Sequence, residues 1–177
     1  DDIKTSAIWS ILFALIAIAL YILVRFRNIA FSAGAVVGLV HDVLFILGIY
    51  SIFYSIMPFS LEIDQSFIAA ILTVIGYSIN DTVVVFDRIR ENVGLYPKRA
   101  LNELINMSVN STLSRTFSTS FSTALPLLAM FIFGGETIRG FVFAILLGVI
   151  VGTYSTIFIA SPIAYDIQQK QAKKLNK

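Results

Sequence analysis

Long apolar runs separated by short polar breaks set the pattern of this chain. Five of them, over 6–24, 29–56, 66–86, 110–133 and 139–161, have the length to cross a hydrocarbon core. Such a core is about 30 Å thick and takes roughly 20 helical residues. The predicted class is all-α: a polytopic membrane bundle of five transmembrane helices forming a single transmembrane domain over 1–177. The breaks differ in character. Arg25-Phe26-Arg27-Asn28 is short and basic, whereas Met57–Gln65 and Gly134–Thr137 carry acids and turn formers. The long break, 91–109, holds Pro97 where a helix would start, then Leu101, Leu104, Ile105 and Val109 at helical spacing. It is predicted to be an amphipathic cytoplasmic connector lying along the membrane surface.

Composition agrees with a bilayer setting. Of the 177 residues, 57% are hydrophobic and 14% charged, against about 25% charged in soluble domains. The absence of cysteine excludes disulfides and thiolate metal sites. Orientation follows from lysine and arginine. One side collects Arg25, Arg27, Arg88, Arg90, Lys98, Arg99 and the tail lysines Lys170, Lys173, Lys174 and Lys177. The other holds Lys4 and Arg139 beside Asp1, Asp2, Glu62, Asp64 and Glu136. The basic side is expected to be cytoplasmic, with the N-terminus of this stretch outside. The basic segment 162–177 then forms a cytoplasmic tail attracted to anionic lipid. Asp1-Asp2-Ile3-Lys4 lacks the basic start of a signal peptide. A start outside without such a signal implies that the stretch is cut from something longer, with a span before it.

Four ionisable side chains fall inside the predicted spans: His41, Asp42, Asp81 and Arg115. A carboxylate at membrane depth costs a few kcal/mol or more, so such groups are paired, protonated or part of an ion path. Asp81 stands six residues before Asp87-Arg88, roughly 9 Å deep, and Arg115 five residues beyond Asn110, roughly 7–8 Å from the same face. Contact with a guanidinium favours an ionised carboxyl, whereas loss of water favours a neutral one. A rearrangement that separates the two groups would therefore let the acid take up a proton, and re-forming the pair would expel it. The competing reading is an inert buried ion pair that fixes helix register. Ser78, Asn80 and Thr82 beside Asp81 suggest a polar lining. So does the run of hydroxyls around Arg115, Thr116 among them, although hydroxyls also bond back to their own helix.

His41-Asp42 lies roughly 18 Å into its helix, near the middle. It reads either as an accessory element of a proton path or as a polar tie to a neighbouring helix. A lone histidine is poor evidence for a metal, and no metal or other cofactor is expected beyond protons as the coupling ion. Gly34-x-x-x-Gly38 and Gly148-x-x-x-Gly152 read either as sites where helix backbones approach closely or as the ordinary glycine enrichment of membrane helices. Pro126 removes a backbone donor within the fourth span and is expected to kink it. Nothing resembles a phosphate-binding loop, a nucleophile elbow or a paired-histidine zinc site. The chain is therefore not expected to be an enzyme, and nothing in it points to nucleic acid.

The run Gly76-Tyr77-Ser78-Ile79-Asn80-Asp81-Thr82-Val83-Val84-Val85-Phe86-Asp87-Arg88-Ile89-Arg90-Glu91-Asn92 closely resembles the signature of the SecF family of protein-export membrane proteins. Asn110-Ser111-Thr112-Leu113-Ser114-Arg115-Thr116, His41-Asp42 and Gly134-Gly135-Glu136 match in the same order. The resemblance covers nearly the whole chain. It implies a fold similar to one half of the resistance-nodulation-division (RND) transporters, with SecD and SecF as pseudo-symmetric halves, fused or separate. It also implies a proton-motive-force-coupled accessory of the SecYEG translocon in the bacterial inner membrane, assisting preprotein export while SecA hydrolyses ATP. The family's membrane Asp and Arg match Asp81 and Arg115. The stretch departs from the family by lacking the first helix and the periplasmic domain that handles preproteins. Two other functions remain compatible: half of a small-molecule efflux transporter, and a passive translocon scaffold.

Overall fold

In lipid every backbone N–H and C=O must be satisfied within the protein, which leaves helices as the economical way to cross. The computed structural model describes residues 2–175, with side chains for 5–174, and shows no strand among them. Five helical rods result: α1 (Asp2–Phe26), α2 (Ile29–Phe53), α3 (Gln65–Leu95), α4 (Leu101–Phe133) and a last rod of three parts. That rod runs as α5 (Glu136–Ser155), a five-residue π-turn (Thr156–Ala160) and α6 (Ser161–Leu175). All five are long and apolar enough to span a membrane. Asp1 and Lys177, counted in the charge distribution, lie outside the described residues, as do the side chains of Asp2 and Lys4.

The breaks are built by local chemistry. Between α1 and α2 the chain reverses through Arg27, whose φ of 50° is left-handed. Its N–H reaches back to the Leu23 carbonyl at 2.8 Å. Asn28 then caps α2 by accepting from the Ala30 N–H at 2.9 Å. Asp64 caps α3 in the same way, through the Phe67 N–H at 2.8 Å.

The long connector differs from its sequence expectation. There is no separate helix along the membrane surface over 91–109: residues 91–95 finish α3 and 101–109 begin α4. Pro97 is not at a helix start. It occupies the second position of a turn in which the Arg99 N–H donates to the Tyr96 carbonyl at 3.0 Å, the position a fixed φ suits best. The apolar spacing at Leu101, Leu104 and Ile105 reflects packing on the bundle, with Leu104 and Ile105 buried. At 1.5 Å per residue, the 33 residues of α4 reach about 50 Å and overrun the hydrocarbon core. The tail likewise continues the last span as α6 through Leu175. At the other end of its range, α2 stops at Phe53, short of 56. α4 continues unbroken through Pro126.

α3 is the central rod and packs chiefly on α5 and α4, with α1 and α2 completing the ring. The glycine motifs supply the close approaches. A Cβ at Gly148 would collide with the Val74 side chain, and one at Gly152 would stand 3.0 Å from Ser78 Oγ, so α5 sits tight on α3. A Cβ at Gly34 would lie 2.5 Å from the Ala160 carbonyl oxygen, which seats α2 against the π-turn.

The interior has three levels. One apolar cluster joins Ile46, Tyr50, Phe67, Ile71, Val74 and Val149 toward the end bearing Glu62, Asp64 and Glu136. Another joins Ile22, Phe26, Phe31, Phe86, Ile89 and Ile105 toward the basic end. Phe26, Phe31 and Phe86 form its centre, with ring centroids 4.7–6.1 Å apart. Between the two clusters runs a belt of buried polar side chains: Asp42, Ser78, Asp81, Thr82, Ser155 and Thr156.

Candidate functional site

Asp81 lies in this belt because α3 carries polar residues at positions 78, 81 and 82, all on the face turned inward. Asp81 is 4% exposed, and its Oδ2 is buried without a hydrogen-bond partner. An unpaired buried polar oxygen costs on the order of 1–3 kcal/mol, and more when charged. This side chain is therefore held in an unfavourable setting by the packing around it. Arg115 comes from α4 and is exposed. Its charge reaches Asp81, yet no ion pair within 4.0 Å joins the two among the described residues. The ion pairs nearby lie closer to the basic end: Arg25 with Asp87 at 2.8 Å, joining α1 to α3, and Arg88 with Glu91 at 2.7 Å.

The residues suggested as an accessory path separate into two groups. Ser78, Thr82, Thr116 and Asp42 are buried, whereas Asn80 is exposed and faces away from the belt. Ser78 Oγ donates to Asp42 Oδ2 at 2.7 Å, tying α3 to α2. The hydroxyls of Thr82 and Thr156 share a hydrogen bond at 2.9 Å, tying α3 to the π-turn. His41 sits half-buried beside Asp42, Nδ1 to Oδ1 at 3.3 Å.

Part of the hydroxyl run on α4 is self-satisfied. Ser111, Thr112, Thr119 and Thr123 donate to carbonyls three or four residues back. Ser120 reaches across instead: it shares a 2.5 Å hydrogen bond with Thr153 on α5 and lies 3.4 Å from the Tyr77 hydroxyl. Thr153, Ser155 and Thr156 were not anticipated. Their signal was three hydroxyls within four residues of an otherwise apolar span. A lateral apolar groove of about 600 Å³ runs between α4 and the π-turn, beside Leu113, Phe117 and Phe158. Neither Asp81 nor Arg115 lines it.

Comparison with known proteins places this geometry in context. Residues 1–170 match the family described as protein export membrane protein SecD/SecF, C-terminal. The protein translocase subunit SecF of Rhodothermus marinus is 53% identical over 98% of this chain and 56% of its own length. The Rhodobacter capsulatus subunit is 50% identical over 94% of this chain and 48% of its own. This chain thus spans about half the length of these relatives. Among solved structures, SecDF in its super-membrane-facing form superposes with a TM-score of 0.79 at 41% identity, covering 92% of this chain and 22% of that one. The bundle accordingly has the RND-like half-fold. By its sequence over 1–170 and by its fold, this chain belongs to the SecD/SecF C-terminal family of protein-export membrane proteins.

Proposed function

We propose that this chain is the membrane part of a proton-coupled accessory subunit of protein export, in which Asp81 takes up and releases the proton and Arg115 is its alternating partner. The relatives are protein translocase subunits, and the solved neighbour is a SecDF protein. The observation that carries the mechanism is the unpartnered Oδ2 of a 4%-exposed Asp81, with Arg115 on the adjoining helix but out of ion-pair range. That is the open arm of the switch: a buried acid with its guanidinium out of reach. The closed arm brings Arg115 inward and releases the proton. A unit charge crossing 100 mV yields about 2.3 kcal/mol, enough to bias such a two-state rearrangement roughly fifty-fold.

The working setting is the bacterial inner membrane, with the basic ends of the helices cytoplasmic and the acidic loops outside. The partners are SecD, fused or separate, the SecYEG translocon, and a preprotein contacted outside the membrane. No bond-making chemistry is assigned to the chain. The test is preprotein release from vesicles under a proton gradient, using the full-length protein. Asp81→Asn should abolish the gradient-stimulated part while leaving ATP-driven translocation in place. If the stimulation survives that substitution, Asp81 is not the coupling group.

A further inference from the structure

The belt holds a second carboxyl that the Asp81–Arg115 switch does not use. Asp42 is wholly buried, between an apolar cluster above and another below. Its surroundings come from three elements. From its own helix His41 approaches Oδ1 at 3.3 Å, and from α3 Ser78 donates to Oδ2 at 2.7 Å. From the last rod Ser155 stands beside it, its hydroxyl donating to the Gly152 carbonyl at 3.2 Å. Gly152 matters here because a Cβ would press within 3.0 Å of Ser78 Cβ and Oγ, displacing the donor. Among the described residues no lysine or arginine pairs with Asp42.

With the neighbouring imidazole neutral, a buried carboxylate here would carry an uncompensated charge, which is far costlier than a neutral acid. Among the described residues the titratable group in contact with it is His41. Its side chain is 34% exposed, and its ring lies 6.1 Å from Phe45 and 6.4 Å from Tyr154 in centroid distance, at the outer surface of the bundle. It therefore touches both the buried acid and the outer face of the bundle.

We propose that His41 and Asp42 form a second proton-binding site, the pair holding one proton between them and carrying no net charge. The shared proton lies along the Nδ1–Oδ1 line. Ser78 then links the occupancy of this site to α3, one helical turn before Asp81. Any consequence for export rests on the function proposed above, whereas the bound proton itself does not.

The test uses infrared spectra of the full-length protein in lipid bilayers at neutral pH, which need no transport activity. In H41F the acid must hold the proton alone. H41F should show a protonated-carboxyl carbonyl component that H41F/D42N loses and H41F/D81N keeps. Adding S78A to H41F should move that band to higher frequency, because the carbonyl loses a hydrogen-bond donor. Superimposable carboxyl spectra for H41F and H41F/D42N would mean a stably ionised Asp42 and would overturn the site. Should D42N fail to assemble, the S78A comparison decides alone: an unmoved band assigns the proton elsewhere. Loss of export in D81N together with an intact Asp42 band separates this site from the Asp81 switch.

Discussion

The closeness of α5 to α3 is the feature on which the geometry of the polar belt depends, and three glycine-to-alanine substitutions grade it. Gly76, on an open face of α3, has nothing within 4 Å of a new Cβ. Gly76→Ala should therefore gain up to about 1 kcal/mol from helix propensity alone. At Gly148 the same methyl would enter the space of Val74, reaching within 2.5 Å of its Cγ1 and 2.8 Å of its Cβ. Val74 is fully buried and β-branched, so it has no free rotamer to retreat into. Overpacking of this kind costs about 1–3 kcal/mol. Gly152 is intermediate, because 3.0 Å to Ser78 demands only a shift of a few tenths of an ångström. The expected order of stability is Gly76→Ala, wild type, Gly152→Ala, Gly148→Ala. Reversible unfolding in mixed detergent micelles, followed by far-ultraviolet circular dichroism, would measure it. Val74→Ala in the Gly148→Ala background should recover part of the loss, since both γ-methyls are then gone. A Gly148→Ala protein as stable as Gly76→Ala would mean that the two helices do not approach as described.

Other outcomes follow from single contacts. A double-mutant cycle between Thr82→Val and Thr156→Val should return a coupling of about 0.6 kcal/mol, the average for hydrogen bonds between membrane helices, and additive effects would deny the bond. Tyr50→Phe removes the phenol that donates to the Gly140 carbonyl and should lower stability by up to about 1.7 kcal/mol in the same assay. Arg27→Gly should stabilise the chain by relieving the left-handed backbone at φ 50°, with the gain capped near 1–2 kcal/mol, and a measured loss would contradict that geometry. Arg25 and Asp87 are about half exposed, so Asp87→Asn should cost less than about 1 kcal/mol, and the difference should shrink in high salt.

The five crossings were legible because membrane helices announce themselves by length and apolarity, a signal that survives boundary errors of several residues. The burial of Asp81 was legible too: an acid flanked by Ser78 and Thr82 at helical spacing has an inward polar face. The state of its partner was not. Depth along a helix follows from counting residues, but whether Arg115 turns toward Asp81 depends on the rotation of α4, most of whose surface is exposed. The connector misled for a related reason. Apolar residues at three- and four-residue spacing mark a buried helix face equally well on a membrane surface and against a bundle, and only the turn at Pro97 tells them apart. The tie between α2 and α3 through Asp42 and Ser78 joins residues 36 apart, beyond the reach of any local pattern.

The π-turn at Thr156–Ala160 stores one residue more than an α-helix would need over the same rise. Deleting a single residue there would let the segment close into regular α-helix while α6 kept its present phase. Ala164, whose Cβ lies under Gly34, would stay in its seat, and Tyr165 would stay in the groove wall. The π-turn is thus one residue of slack in the final rod, and a loss there would leave the facing surface of α2 as it is.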